Sequence, residues 1–342
     1  MKAGGRRHRG AKWEHKAAAR RHLPRVSAAQ PSRLRGLTRR ALLVSRCPRP
    51  LPPLRHPPRL DLAPTSTAPT STAPTSTSPT SSSPTASTMG HQQPRLRLAV
   101  LECDTPQPQT RARYDNYTGV FTALLGAAAR TLDPPADLAA LASITGYDVV
   151  NELHTYPALD DIDAVLLTGS RHTAFDDDPW IKNLVAFTRR ALDSGSVRVV
   201  GICFGHQIVG RALGARLGKS DKGWEVAVAE VDLTAAGKEV FQLDKMRIHQ
   251  MHRDVVADFP PDAIPLGSNA FCPVQGMYAP GRYITVQGHP EFTSEIISEI
   301  LFNRHTVGIF TDDVYEDGMR RAAVPHDGVA IGRAFLKFML EG

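Results

Sequence analysis

Acidic residues are almost missing from the first 94 positions of this 342-residue chain, where only Glu14 and Asp61 oppose 17 lysines and arginines. Residues 95–342 reverse the balance, with 24 basic and 32 acidic residues. The net charge of +7 and the pI of about 9.4 therefore belong to the N-terminal stretch and argue for no nucleic-acid-binding face on the rest. Cysteine is scarce too: Cys47, Cys103, Cys203 and Cys272 form no CxxC pair and no zinc-ligand spacing, and no secretory signal precedes them. That excludes a disulfide framework and fits a reducing compartment. No apolar run approaches the ~20 residues a membrane-spanning helix needs. The first 94 residues hold a single aromatic, Trp13.

Those 94 residues have almost nothing to bury. Residues 1–60 are rich in arginine and proline, and a five-residue unit, Ala63-Pro64-Thr65-Ser66-Thr67, then recurs at 68 and 73 with two degenerate copies behind it. Proline at every fifth position interrupts helix and sheet ladders, so such a segment does not offset its ordering entropy, and 1–94 is expected to be a disordered tail. Three roles compete for it: a mitochondrial transit peptide, with a short amphipathic segment over Leu34–Val44; a basic nuclear or anionic-surface signal; or no role at all, with translation starting at Met89. The chain is otherwise expected to be cytoplasmic.

Residues 95–342 suffice for one well-covered domain. Segments 96–103, 147–153, 164–168 and 197–202, each built around consecutive apolar residues, read as strands. Helical patterns fall around 119–125, at 180–192 closed by Gly195, at 293–305 and at 328–340, whereas Pro106 and Pro108 mark a loop. The alternation predicts an α/β fold: a mostly parallel central sheet with helices on both faces. From Trp224 to Val286 the pattern becomes strand-rich with short turns, predicting an antiparallel extension.

Two motifs carry chemistry. Gly201-Ile202-Cys203-Phe204-Gly205-His206-Gln207 places a cysteine between glycines where a strand turns into a helix. Such a bend pushes the sulfur outward, and the helix N-terminus favours its thiolate form. The amide of Phe204 points at the same spot and can hold an oxyanion. Some eighty residues later, Gln287-Gly288-His289-Pro290-Glu291 offers an imidazole and, two residues on, a carboxylate to orient it. Cys203, His289 and Glu291 are thus candidate nucleophile, base and orienting group. Gly214-Ala215-Arg216-Leu217-Gly218-Lys219-Ser220 imitates a phosphate-binding loop, but it is one residue short between glycines and follows a helix; it is read as the end of the helix begun after Cys203. His249 and His252 lack a third metal ligand at any suggestive spacing, and Cys272 is assigned to packing.

Together, the two motifs resemble the class I, triad-type glutamine amidotransferases, above all stand-alone members similar to γ-glutamyl peptidases and the glutaminase domain of GMP synthases. The resemblance spans essentially 95–342 and implies a flavodoxin-like sheet. It also takes in Leu166-Leu167-Thr168-Gly169-Ser170, Asp176-Asp177-Asp178-Pro179-Trp180-Ile181 and Cys272-Pro273-Val274-Gln275-Gly276. It implies an oxyanion hole from the backbone of Phe204 with Gly169 or Ser170. It implies a γ-glutamyl contact from Gln207, and substrate-holding backbone at Met251-His252, within Met251-His252-Arg253-Asp254. Ser170 and Met251 stand where many members have glycine and serine, which bears on the fit for free glutamine.

The activity so implied is cysteine-dependent hydrolysis of the γ-glutamyl amide bond of glutamine or γ-glutamyl peptides, with no metal or organic cofactor. The substrate is a small molecule; neither nucleic acid nor membrane is a partner. No acceptor-binding module accompanies the domain, so the alternative is a glutaminase subunit passing ammonia to a protein partner. Two rivals remain: a non-catalytic metabolite-binding regulator, and a related thiol hydrolase or isomerase that shares the bend at Cys203.

Overall fold

The computed structural model describes residues 96–152 and 155–341. The tail, and with it every reading of 1–94, lies outside the described residues. In chain order the first half comprises β1 (Leu96–Glu102), α1 (Pro108–Tyr114), α2 (Tyr117–Ala129), α3 (Leu138–Leu141), β2 (Ala142–Asp148), β3 (Ala164–Leu167), α4 (Pro179–Ser194), β4 (Arg198–Ile202) and α5 (Phe204–Ala212). The second half comprises β5 (Leu217–Lys219), β6 (Glu225–Leu233), α6 (Ala235–Phe241), β7 (Met246–His252), β8 (Asp254–Val256), β9 (Ile264–Ser268), β10 (Gly276–Ala279) and β11 (Tyr283–Val286). Helices α7 (Ser294–Thr306), α8 (Asp312–Arg321) and α9 (Gly328–Leu340) complete it.

Nine strands form one sheet in the order β2-β1-β3-β4-β11-β10-β9-β6-β7. The five from β2 to β11 pair in parallel, and the remaining four are antiparallel, so the sheet is the parallel platform with antiparallel extension that the sequence predicts. Side chains alternate across it. Leu98, Val100, Leu166, Val200 and Ile202 pack with Phe121 and Leu125 of α2 and Phe335 of α9. Their neighbours Ala99, Leu101, Val165, Leu167 and Val199 pack on the other face with Leu184 and Phe187 of α4 and Ile208 of α5. Burial on both sides is why β3, and β4 after Arg198, read as apolar runs.

Three local readings change. The second strand lies at Ala142–Asp148, starting five residues before the segment 147–153 that suggested it, with all seven residues in register with β1. Asp148 ends it by accepting the amides of Val150 (3.1 Å) and Asn151 (3.0 Å), which turns the chain where extension was expected. Pro108 opens helix α1 instead of a loop, because the Glu299 carboxylate of α7 caps it from the amides of Gln109 (2.7 Å) and Thr110 (2.9 Å). Helix α5 stops at Ala212, and the imitation phosphate loop is a turn through Gly214 (φ 87°) into β5, which pairs with β8.

Candidate active site

Parallel strands present their C-terminal ends along one edge, where ligands gather in open α/β sheets. At that edge β4 ends and Cys203 takes φ 52° and ψ −102°, a region L residues avoid, before α5 begins at Phe204. The turn is stitched to the next strand by the Cys203 amide, 2.9 Å from the Val286 carbonyl. The glycine after it is forced by crowding: a Cβ on Gly205 would lie 2.3 Å from the Leu167 carbonyl oxygen.

His289 arrives from the neighbouring strand, β11. Its amide donates to the His249 carbonyl (2.7 Å), its ring stacks on Phe292 at 4.0 Å between centroids, and its Nδ1 lies 2.8 Å from Glu291 Oε1. Nε2 is left for Cys203. Burial pushes the imidazolium down, but the charges of Cys203 and Glu291 and the hydrogen bonds to both outweigh it and raise His289 to about 10. Such a ring favours a thiolate–imidazolium pair. His289 and Glu291 are both buried, which keeps water from competing for these contacts.

Gly169 and Ser170, just beyond β3, border the same cavity as Cys203. Gly169 has to be glycine, because a Cβ there would meet His289 Cε1 at 2.5 Å. Among the described residues, the amides of Gly169, Ser170 and Phe204 donate to no protein acceptor, the condition for receiving an oxyanion. The Phe204 side chain points away and stacks under Trp180 at 5.5 Å.

Gln207, Met251 and His252 also line the cavity, which measures about 480 Å³. Gln207 does more than face it: its Nε2 donates to the Asp254 carbonyl (2.8 Å) and to Gln287 Oε1 (3.2 Å), tying α5 to β8 and to the histidine strand. Both ring nitrogens of His252 are engaged within the protein, with Glu225 Oε2 (3.0 Å) and the Asp254 carbonyl (3.2 Å). Its backbone, not its ring, is therefore what it has to offer a ligand. Cys272 packs as expected, buried with its thiol pushed up to about 12 by burial. Among the described residues, no three His, Cys, Asp or Glu side chains converge on a metal position, and no helix is long and apolar enough to cross a membrane.

Sequence reasoning missed one wall of the cavity. Trp224, Arg253 and Arg304 come together there from three distant segments, with the guanidinium carbons 5.4 Å (Arg253) and 4.7 Å (Arg304) from the Trp224 ring centroid. No spacing rule links positions 224, 253 and 304.

The family model for glutamine amidotransferase class-I matches residues 140–307, a span that includes every predicted site residue from Gly169 to Glu291. A glutamine amidotransferase-like protein of Schizosaccharomyces pombe is 33% identical over 248 residues, 71% of this chain and 98% of the relative. This chain belongs to the class I glutamine amidotransferase family. Gamma-glutamyl peptidase 2 of Arabidopsis thaliana, another relative of this amidotransferase family member, is 30% identical over 162 residues, 46% of this chain and 65% of that one. A solved glutamine amidotransferase from Thermotoga maritima shares the fold with a TM-score of 0.53 at 17% identity, over 72% of this chain and 99% of that one. The resemblance carried by the two motifs is thus family membership, in a family of enzymes.

Proposed function

We propose that this amidotransferase family member hydrolyses the γ-glutamyl amide bond of glutamine or γ-glutamyl peptides through a thioester on Cys203. The observation that carries the reading is one imidazole held on its Nδ1 side by Glu291 while its charge and hydrogen bonding answer to Cys203. The Cys203 thiolate adds to the γ-carbonyl, and the oxyanion so formed is received by the amides of Phe204 and of Gly169 or Ser170. His289 delivers its Nε2 proton to the departing nitrogen, the C–N bond breaks, and ammonia or an amine leaves a γ-glutamyl thioester. Neutral His289 then takes a proton from water; the hydroxide equivalent adds to the thioester, glutamate departs, and the thiolate–imidazolium pair returns. Glu291 keeps the ring in the orientation this requires. Gln207 and the backbone at Met251 and His252 hold the glutamyl portion.

One observation favours the alternative, ammonia passed to a protein partner. Val307 and Ile309 line the cavity yet are 70% and 51% exposed, an apolar rim where an acceptor would dock. Glutamate release from glutamine, γ-glutamyl dipeptides and glutathione, by the full chain with and without cell extract, decides between them. Turnover of γ-glutamyl peptides by the isolated chain, abolished in Cys203→Ala, supports hydrolysis. Glutamine turnover appearing only with extract supports the partner reading. No turnover in any condition sinks both.

A further inference from the structure

The wall built from Trp224, Arg253 and Arg304 takes no part in the chemistry above, and its charges are unspent. Two other cavity residues of opposite charge, Asp104 and Arg171, already form an ion pair (2.5 Å). Arg253 and Arg304 form none among the described residues, and Arg253 Nε and Arg304 Nη1 are buried there without any hydrogen-bond partner. No side-chain hydrogen bond or ion pair engages either guanidinium among the described residues, so the nitrogens that do reach the cavity are free to meet an anion there. Each guanidinium lies against the Trp224 ring, which Phe310 meets edge-on at 5.2 Å. The planar fork of arginine suits a carboxylate.

We propose that Arg304, with Arg253 beside it against the Trp224 ring, is a carboxylate receptor for the departing portion of the substrate. The preferred substrates are then γ-glutamyl peptides whose leaving amino acid keeps a free α-carboxylate, ahead of glutamine. The leaving nitrogen takes its proton from His289, so the departing group exits beside that residue, into the cavity that His289 and Arg304 both line. Charge counting agrees. A γ-glutamyl dipeptide brings one carboxylate more than glutamine does, and the cavity's charged side chains outside any ion pair include Arg253 and Arg304 among the described residues.

The choice of substrate class rests on the thioester reading, but carboxylate binding is testable without turnover. Isothermal titration of the full-length Cys203→Ala protein compares γ-glutamylglycine with γ-glutamylglycinamide, ligands that differ only at the distal carboxylate. The acid should bind about ten-fold more tightly or better, the range of a charge-assisted hydrogen bond. Adding Arg304→Gln should reduce the preference to about two-fold or less, and Arg304→Lys should retain part of it. Equal affinity for acid and amide, no binding of either, or a preference that survives Arg304→Gln overturns the proposal. The acid–amide comparison stands even if the Arg304 variants fail to fold. Retained acid preference in a chain that hydrolyses neither ligand would defeat the catalytic reading alone.

Discussion

His249 of β7 and His289, just beyond β11, are partners in an isolated antiparallel backbone bridge, both buried, and they titrate in opposite directions. His249 is lowered to about 3, first by burial and then by the nearby His326 and His289; neither of its ring nitrogens has a partner among the described residues, and its ring sits 4.6 Å from that of His326. His289 is raised because Glu291 and Cys203 outweigh the same burial. Desolvation alone thus makes a neutral packing histidine, and two correctly placed acids turn its neighbour into a proton carrier. The chemistry lies in the partners that the turn Gly288-His289-Pro290-Glu291 and the elbow at Cys203 deliver.

Removing the acids should therefore make His289 resemble His249. The largest effect is expected from Cys203→Ala, which deletes the nucleophile and one of the two raising influences. Activity should fall by about 10⁴-fold or more, and the His289 ring signals in NMR should titrate at lower pH than in wild type. Glu291→Gln keeps the shape and removes the charge. We expect kcat to drop by about 10²–10⁴-fold with a downward shift of the same signals; an unshifted titration would mean that burial and the turn, not the carboxylate, govern the ring.

Gly169→Ala tests the comparison by displacement. The added methyl collides with His289 Cε1, so the ring should tilt off its line to Cys203, costing about 10–100-fold in kcat. Wild-type activity in this variant would mean the ring has room the structure does not give it. The smallest effect concerns stability against pH, where the two histidines differ in sign. His249 is depressed, so its contribution is full above about 6.5 and is lost as pH falls toward its folded value of about 3; His206, also lowered to about 3 by burial and by His252, adds in the same direction. His289 is raised, so its contribution is full below about 6.5 and fades as pH climbs toward the folded value. In urea unfolding between pH 6.5 and 4, His249→Gln should lessen the acid-side slope by up to about 1.4 kcal/mol per pH unit. An unchanged slope would show that His249 is already charged in the fold.

Much of this was legible in the residues. Buried parallel strands announce themselves as apolar runs, Gly195 (φ 70°) closes α4 where a glycine cap belongs, and α9 spans 328–340 as its periodicity says. The elbow and the His-x-Glu turn are local devices, so their spacing could be read directly. What escaped depends on distant partners. Helix α1 owes its N-terminal cap to Glu299, 190 residues away, and the β2 register is set by pairing with β1 despite the Val149-Val150 pair further on. Nothing near Glu225 signals that its carboxylate would accept from Asn269, His252 and Gln275 at once. The Trp224 wall is hidden for the same reason: its members meet only after the antiparallel extension and α7 have folded against each other.

The strained bend at Cys203 matters to anyone seeking a hardier version of this protein. An L residue at φ 52° and ψ −102° costs the folded chain about 1–3 kcal/mol, and glycine would adopt that geometry with far less strain. A screen that rewards heat resistance alone would thus be drawn to Cys203→Gly, trading the sulfur for comfort in the bend. Durability and turnover compete at this single position, so a library selected for thermostability needs a catalytic counter-selection from its first round.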